Sequence, residues 1–318
     1  MRKQILGNTG IEVSRLCYGS LTLGPLQANL PVDRAGQLIA YAYDRGVNFI
    51  DTADLYDNYA HIKNALDLIG KHNMVIASKS YAYDEKGARQ TVERALKELG
   101  REYIDIWLMH EQESDHTIRG HYEALETYHQ LKKEGKIRAV GISTHYVDAV
   151  SAALNYPEIE VIHPIFNIAG IGIQGGTRDE MHAAITKAYD SGRGIYGMKV
   201  LGGGNLLSDR DAAFDFALSQ TCFHSYALGM QHEDEIDFNV KRISGEDIEP
   251  ELYERLKSKK KRISIDPWCT RCKACISACQ HGALSFDALS DKMVVDRGKC
   301  VLCGYCSKKC ADFCIKII

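Results

Sequence analysis

Long apolar runs are missing from this sequence. No stretch approaches the roughly eighteen uninterrupted apolar residues that span a bilayer. The amino-terminal stretch MRKQILGNTGIEVSRLCYGS is polar and broken by glycine, without the apolar core of a secretory signal. A dominant charge sign is also missing: 39 basic against 42 acidic residues leave a net charge of −3. No basic field therefore argues for nucleic acid or an anionic membrane as partner. Cysteine is scarce over most of the chain, with Cys17 alone in the first two hundred residues. Together these absences point to a cytoplasmic protein. In that reducing compartment closely spaced thiols are metal or cluster ligands before they are disulfides.

What is present is a chain of 318 residues, 45% hydrophobic and 25% charged. That is long for one average domain and suits a (β/α)8 barrel with a small appendage. Short apolar runs predict strands at residues 16–20, 48–53, 74–80, 103–110, 137–144, 161–167, 194–200 and 224–229. Stretches between them, such as DEKGARQTVERALKELG and HYEALETYHQLKKEG, have helical spacing and end on glycine. Eight strands alternating with helices predict an α/β fold of the TIM-barrel type over residues 1–262. A doubly wound sheet is the alternative, but no G-x-G-x-x-G follows the first strand and GNTG falls too early. Residues 251–267 read as a closing helix and linker, with the basic run Lys257 to Arg262 as a solvated helix end.

Apart from Cys222, the remaining cysteines crowd into the tail. Cys269, Cys272, Cys275 and Cys279 follow the spacing C-x2-C-x2-C-x3-C, and Cys300, Cys303, Cys306 and Cys310 repeat it thirty-one residues later. Zinc sites draw on two separated CxxC pairs, so two zinc sites are one alternative and a disulfide-rich module another. The duplicated quartet resembles the bacterial two-[4Fe–4S] ferredoxins, a small α+β iron–sulfur fold, over about residues 263–318. That resemblance implies two [4Fe–4S] clusters that exchange their fourth ligands. One would take Cys269, Cys272, Cys275 and Cys310; the other would take Cys300, Cys303, Cys306 and Cys279. The proline usual after each fourth cysteine is replaced by Gln280 and Ala311. Cys314 aligns with Ala283 in the repeat and reads as a buried thiol rather than a ninth ligand.

Barrel chemistry sits at the carboxyl ends of strands. Asp51 ends the second predicted strand, Tyr56 lies in the loop after it, Lys79 ends the third and His110 the fourth. A tyrosine hydroxyl is too weak an acid unless a neighbouring ammonium stabilises its anion. Lys79 fits that need, Asp51 would hold Lys79, and His110 would orient a carbonyl oxygen while Tyr56 protonates it. These four residues, with LGNTGIEVSRLCYGS, GKIRAVGIST and MKVLGGGNLL, resemble the aldo-keto reductases over nearly all of residues 1–262.

The resemblance implies an oxidoreductase that reduces a small carbonyl substrate, or oxidises an alcohol, with a nicotinamide nucleotide lying across the barrel mouth. It implies contacts from Ser20, and from Ser143 to the carboxamide. His163 stands where the family often has glutamine, near Asn167. Lys199 and the run Gly202, Gly203, Gly204, Asn205 match a loop near the pyrophosphate, and Gly229, Met230 and Asn239 match the adenosine end. Glu235 occupies the place of an arginine that clamps the 2′-phosphate in NADP enzymes, so NAD(H) is expected over NADP(H). Asp57 and Asn58 replace the frequent Gly-x-Ser-Glu pattern after the tyrosine.

The tail leaves three roles open: a lid on a nicotinamide-dependent reductase, an electron relay to a redox partner protein, or an electron-transfer protein whose barrel is a docking module. Clusters move one electron and hydride transfer moves two, so a wired enzyme needs a flavin or a radical-tolerant substrate. No flavin motif is visible, and in a barrel that leaves a flavin open. The complete tetrad favours an enzyme.

Overall fold

The computed structural model describes residues 1–259 and 261–318. Eight parallel strands close into a barrel: β3 (Leu16–Gly19), β4 (Phe49–Asp51), β5 (Val75–Ser80), β6 (Ile104–Met109), β7 (Ile137–Thr144), β8 (Val161–Pro164), β9 (Gly194–Met198) and β10 (Ser225–Gly229). They pair in chain order, with β10 returning to β3. All eight expected strands are present, each trimmed by at most a few residues. The antiparallel hairpin that precedes them, β1 (Lys3–Ile5) and β2 (Glu12–Ser14), is not foreseen by the pattern.

The strands read as continuous apolar runs because a parallel barrel buries both faces. β6, IDIWLM, is buried along its whole length. Its one charge, Asp105, is matched by Arg101 at 2.9 Å, by Arg138 at 2.6 Å and by the Ile76 amide at 3.0 Å. Inside the barrel Cys17, Phe49, Ala77, Ile106, Leu108, Ala139, Val161 and Tyr196 pack together, and the hairpin adds Leu6, Ile11 and Val13. Leu6 lies against Gly194 at the start of β9, so the hairpin plugs the amino-terminal end and leaves the carboxyl end as the open mouth. Gly141 has a steric cause: a Cβ there would sit 2.0 Å from the Val161 carbonyl oxygen. Helices flank the strands. Helix Glu85–Leu99 starts on Asp84, whose carboxylate accepts the Gly87 amide, and stops on Gly100 in the left-handed conformation.

The tail begins after helix Pro250–Ser258. Within the basic run, Lys257 is exposed at the end of that helix, Lys260 lies outside the described residues, and Lys261 turns inward. β11 (Ile263–Ile265) pairs antiparallel with β14 (Ile315–Ile317), and β12 (Leu284–Asp287) with β13 (Lys292–Val295). The thirty-one-residue repeat maps β12 onto β14 and β11 onto β13. Each half therefore pairs its strands with the other half, which interlocks the two cysteine quartets. Segment 263–318 has a small core of its own around Ile263, Leu284 and Ile315. It does not stand apart, because Phe313 is buried in the main barrel core. Among the described residues no helix is long and apolar enough to cross a membrane.

Candidate active site and cysteine cavities

Asp51 is the last residue of β4 and Lys79 lies near the end of β5, so neighbouring strands bring them together at the barrel mouth. The Lys79 ammonium donates to both Asp51 oxygens, at 2.7 and 2.8 Å, and to the Thr52 carbonyl at 2.7 Å. The pair is almost fully buried. A buried ion pair survives only when its remaining hydrogen-bonding capacity is met. Here Tyr196 on β9 supplies that from across the barrel, its hydroxyl donating to Asp51 Oδ2 at 2.9 Å. His163 stacks on the Tyr196 ring at 3.9 Å and donates from Nδ1 to the Tyr196 carbonyl, with Nε2 3.7 Å from Asp51. Burial lowers the His163 pKa to about 4, so the ring is neutral.

Tyr56 ends a short 3-10 turn, Asp54–Tyr56, and Lys79 Nζ lies 5.1 Å from its ring centroid. His110, just past β6, meets the Tyr56 ring edge-on at 6.0 Å. Burial, then the Lys79 charge, holds the His110 pKa well below its ordinary value, leaving a neutral imidazole. Burial also pushes the Tyr56 phenol well up, and Asp51 and Glu111 add to this. Asp57, left-handed at φ 49°, turns the chain after Tyr56. Asn58 then fixes the loop, accepting from Thr52 at 2.7 Å and donating to the Ser20 carbonyl at 2.9 Å.

An open cleft of about 1200 Å3, counting its mouth, runs from this cluster between the β9 and β10 loops. Of the residues expected to touch cofactor, His163, Lys199, Gly203, Gly204, Gly229 and Asn239 line it together with Asp51 and Tyr56. Six others are placed elsewhere. Asn205 donates to the Gly202 carbonyl at 2.7 Å. Ser20 is buried, donating to the Asp51 carbonyl at 2.8 Å. Ser143 accepts the Glu111 amide at 2.9 Å. Asn167 closes its own loop onto Ile171. Gly202 is buried beneath the turn it begins, and the Met230 carbonyl accepts the Tyr18 hydroxyl at 2.7 Å. Their polar groups are spent on shaping loops. Gly229 is a cradle position, since a Cβ there would lie 2.2 Å from Thr22. Lys241 and Arg242, on the helical turn after Asn239, are engaged with Glu249 and Asp215.

Several residues in or behind the cleft carry no sequence signal of their own: Tyr196 buried behind Asp51, Arg210 and Lys261 in the wall near Glu235, and Lys316 from the tail. Tyr81, stacked on His110 at 4.4 Å with its hydroxyl donating to Glu111 at 2.5 Å, is another.

None of the tail cysteines is in a disulfide, and they surround two small pockets of about 320 and 310 Å3, counted out to open solvent. Cys269, Cys272, Cys275 and Cys310 line the first; Cys279, Cys300, Cys303 and Cys306 line the second. Among the described residues no three His, Cys, Asp or Glu side chains converge as ligands of a single ion. The fourth cysteines behave alike: Cys279 Sγ accepts the Ala283 amide at 3.3 Å and Cys310 Sγ the Cys314 amide at 3.2 Å. Cys314 itself is fully buried and lines neither cavity.

Residues 15–236 match the Aldo/keto reductase family. The chain belongs to that family. It is 32% identical over 170 residues to a 6-dehydroglucose reductase of Novosphingobium aromaticivorans, covering 48% of this chain and 54% of that protein. It is 29% identical over 195 residues to the NADH-specific methylglyoxal reductase of Escherichia coli, covering 53% and 60%. The matched part thus spans little more than half the length of these relatives. Among solved structures, an aldo-keto reductase of Pseudomonas aeruginosa superposes with a TM-score of 0.65 at 27% identity, covering 76% of this chain and 95% of its own. One from Bacillus halodurans shares the fold, with a TM-score of 0.65 at 20% identity, covering 81% and 95%.

Proposed function

We propose that this protein is a nicotinamide-nucleotide-dependent oxidoreductase acting on a small carbonyl or alcohol, with a ferredoxin-like tail that holds two [4Fe–4S] clusters. The observation that carries the first part is the buried Lys79–Asp51 pair beside Tyr56 and His110, opening onto an extended cleft. The length of that cleft, its glycine wall at Gly203, Gly204 and Gly229, and its polar far end at Glu235 and Asn239 suit a dinucleotide.

A bound reduced nicotinamide supplies hydride to the carbonyl carbon. The chain supplies position and a proton. Tyr56 keeps its phenolic proton until negative charge grows on the substrate oxygen, a stronger base than phenolate, and then transfers it from Oη. Lys79, fixed by Asp51 and the Thr52 carbonyl, offers its charge to the resulting phenolate without swinging away. Neutral His110 donates an N–H to the same substrate oxygen. Tyr81 and Glu111 shape the wall beside it.

Cys269, Cys272, Cys275 and Cys310 would hold one cluster, and Cys279, Cys300, Cys303 and Cys306 the other. The donor set fits: four free thiols around each cavity, drawn from both halves of the repeat. Bound clusters would supply one-electron chemistry, which makes an external redox protein the fitting partner. Thiols ringing a cavity, rather than meeting at a point, favour clusters over single zinc ions.

An absorption spectrum of the anaerobically purified protein, before and after adding NADH and then dithionite, tests both parts. The reading expects iron–sulfur absorbance that dithionite bleaches and a nucleotide band perturbed on binding. A colourless protein that leaves the nucleotide spectrum unchanged would refute it.

A further inference from the structure

We propose that Lys316, on the last strand of the tail, is a nucleotide-binding residue that acts with Lys199 of the barrel to hold the diphosphate of the dinucleotide. This rests on the nucleotide reading above and adds that the tail completes the site.

Both lysines line the same cleft as Tyr56. They flank a single buried ring: Lys316 Nζ lies 3.4 Å and Lys199 Nζ 5.3 Å from the Phe313 centroid. Lys316 also donates to the Phe313 carbonyl. The nearest carboxylate is Asp266, whose Oδ2 is 3.7 Å from Lys316, beyond hydrogen-bond reach. Both Asp266 oxygens are buried without a hydrogen-bond partner. Two lysines thus face one carboxylate that accepts no hydrogen bond, with Glu111 a further negative charge acting on Lys199. Burial depresses the pKa of each lysine, and for Lys316 the neighbouring Lys199 adds to it. An anion placed between them would restore the charged forms and offset the cost of desolvating them.

The ligand selects the anion. Lys199 follows β9, Lys316 is docked from the tail against the same turn, and both share the cleft with Tyr56 and His163. NADH carries its negative charge on the diphosphate alone, so that is the group two lysine point charges in its cleft would meet. The tail strand is fixed against that turn. A Cβ on Gly203 would lie 2.8 Å from Lys316 Cδ, and one on Gly204 would lie 2.0 Å from the Ile317 carbonyl oxygen. Lys316 is therefore in place only when the tail is docked. Nucleotide binding and tail docking become one linked equilibrium.

The test uses the full-length, anaerobically purified protein and measures dissociation constants for NADH and for ADP-ribose, which carries the diphosphate but no nicotinamide. Lys316→Met should weaken both by about tenfold or more, and Lys316→Arg should hold both within about threefold of wild type. Lys199→Met reads the same site from the barrel side if Lys316→Met fails to fold. Unchanged affinity for both ligands in folded Lys316→Met, or a loss confined to the KM of a carboxylate-bearing substrate such as glyoxylate, would overturn the assignment. Wild-type protein that binds neither ligand would instead refute the nucleotide reading beneath it.

Discussion

Lys79 and Asp51 share one almost fully buried forked contact, 2.7 and 2.8 Å, that Tyr196 braces from the opposite side of the barrel. Removing one partner of such a pair strands the other charge. Asp51→Asn should therefore lower unfolding free energy by about 3–5 kcal/mol. Denaturant unfolding followed by circular dichroism checks this. A loss under about 1 kcal/mol would mean that the Thr52 carbonyl satisfies the ammonium unaided.

The pH profile of carbonyl reduction follows from two displaced acids. Burial holds His110 well below its ordinary 6.5, so it gains a proton, and loses its neutral form, only in more acid solution. Burial holds Tyr56 well above its ordinary 10.0, so it loses the proton it must donate only in more alkaline solution. The value of kcat/KM should be level between about pH 6.5 and 9. A break inside that window would show that one of the two groups titrates in solution-like surroundings.

At the far end of the cleft Glu235 accepts the Gln231 amide at 2.7 Å and lines the wall near Arg210 and Lys261. A 2′-phosphate there would meet a carboxylate, so NADH should bind more tightly than NADPH, and Glu235→Gln should narrow the gap. Titration of both nucleotides decides it. Tighter NADPH binding by the wild type would assign the phosphate to Arg210 and Lys261.

Iron and acid-labile sulfide should each be near eight per chain in anaerobic preparations. Cys310→Ala and Cys279→Ala should each cut both to about four, since each residue lines a different cavity with three partners. Stoichiometric zinc without sulfide would contradict the cluster reading.

Much of this was legible in the chain itself. The eight barrel strands announce themselves as apolar runs because burial on two faces leaves no room for alternation. Asp51, Tyr56, Lys79 and His110 stand out because polar residues at strand ends have few structural reasons to be there. The resemblance to two-cluster ferredoxins, beyond the repeat spacing, implied which cysteines share a cavity. What escaped was non-local or too short. The hairpin strands Lys3–Ile5 and Glu12–Ser14 hold three residues each, too few to show a period. Tyr196 meets Asp51 across 145 positions of sequence. Phe313 and Lys316 enter the barrel mouth only because the tail docks on the Gly203–Gly204 turn, which no local pattern encodes. Ser20, Ser143, Asn167 and the Met230 carbonyl make hydrogen bonds within the fold that the sequence does not announce.

The central claim is that Tyr56 and its neighbours reduce a carbonyl with hydride from a nicotinamide. The most direct measurement supplies the full-length protein with NADH deuterated at the transferring carbon and with methylglyoxal, then reads the product by mass spectrometry. The account predicts deuterium on the former carbonyl carbon, formed at least about a hundredfold more slowly by Tyr56→Phe with nucleotide affinity little changed. Product without deuterium, or equal rates for Tyr56→Phe and wild type, would contradict it.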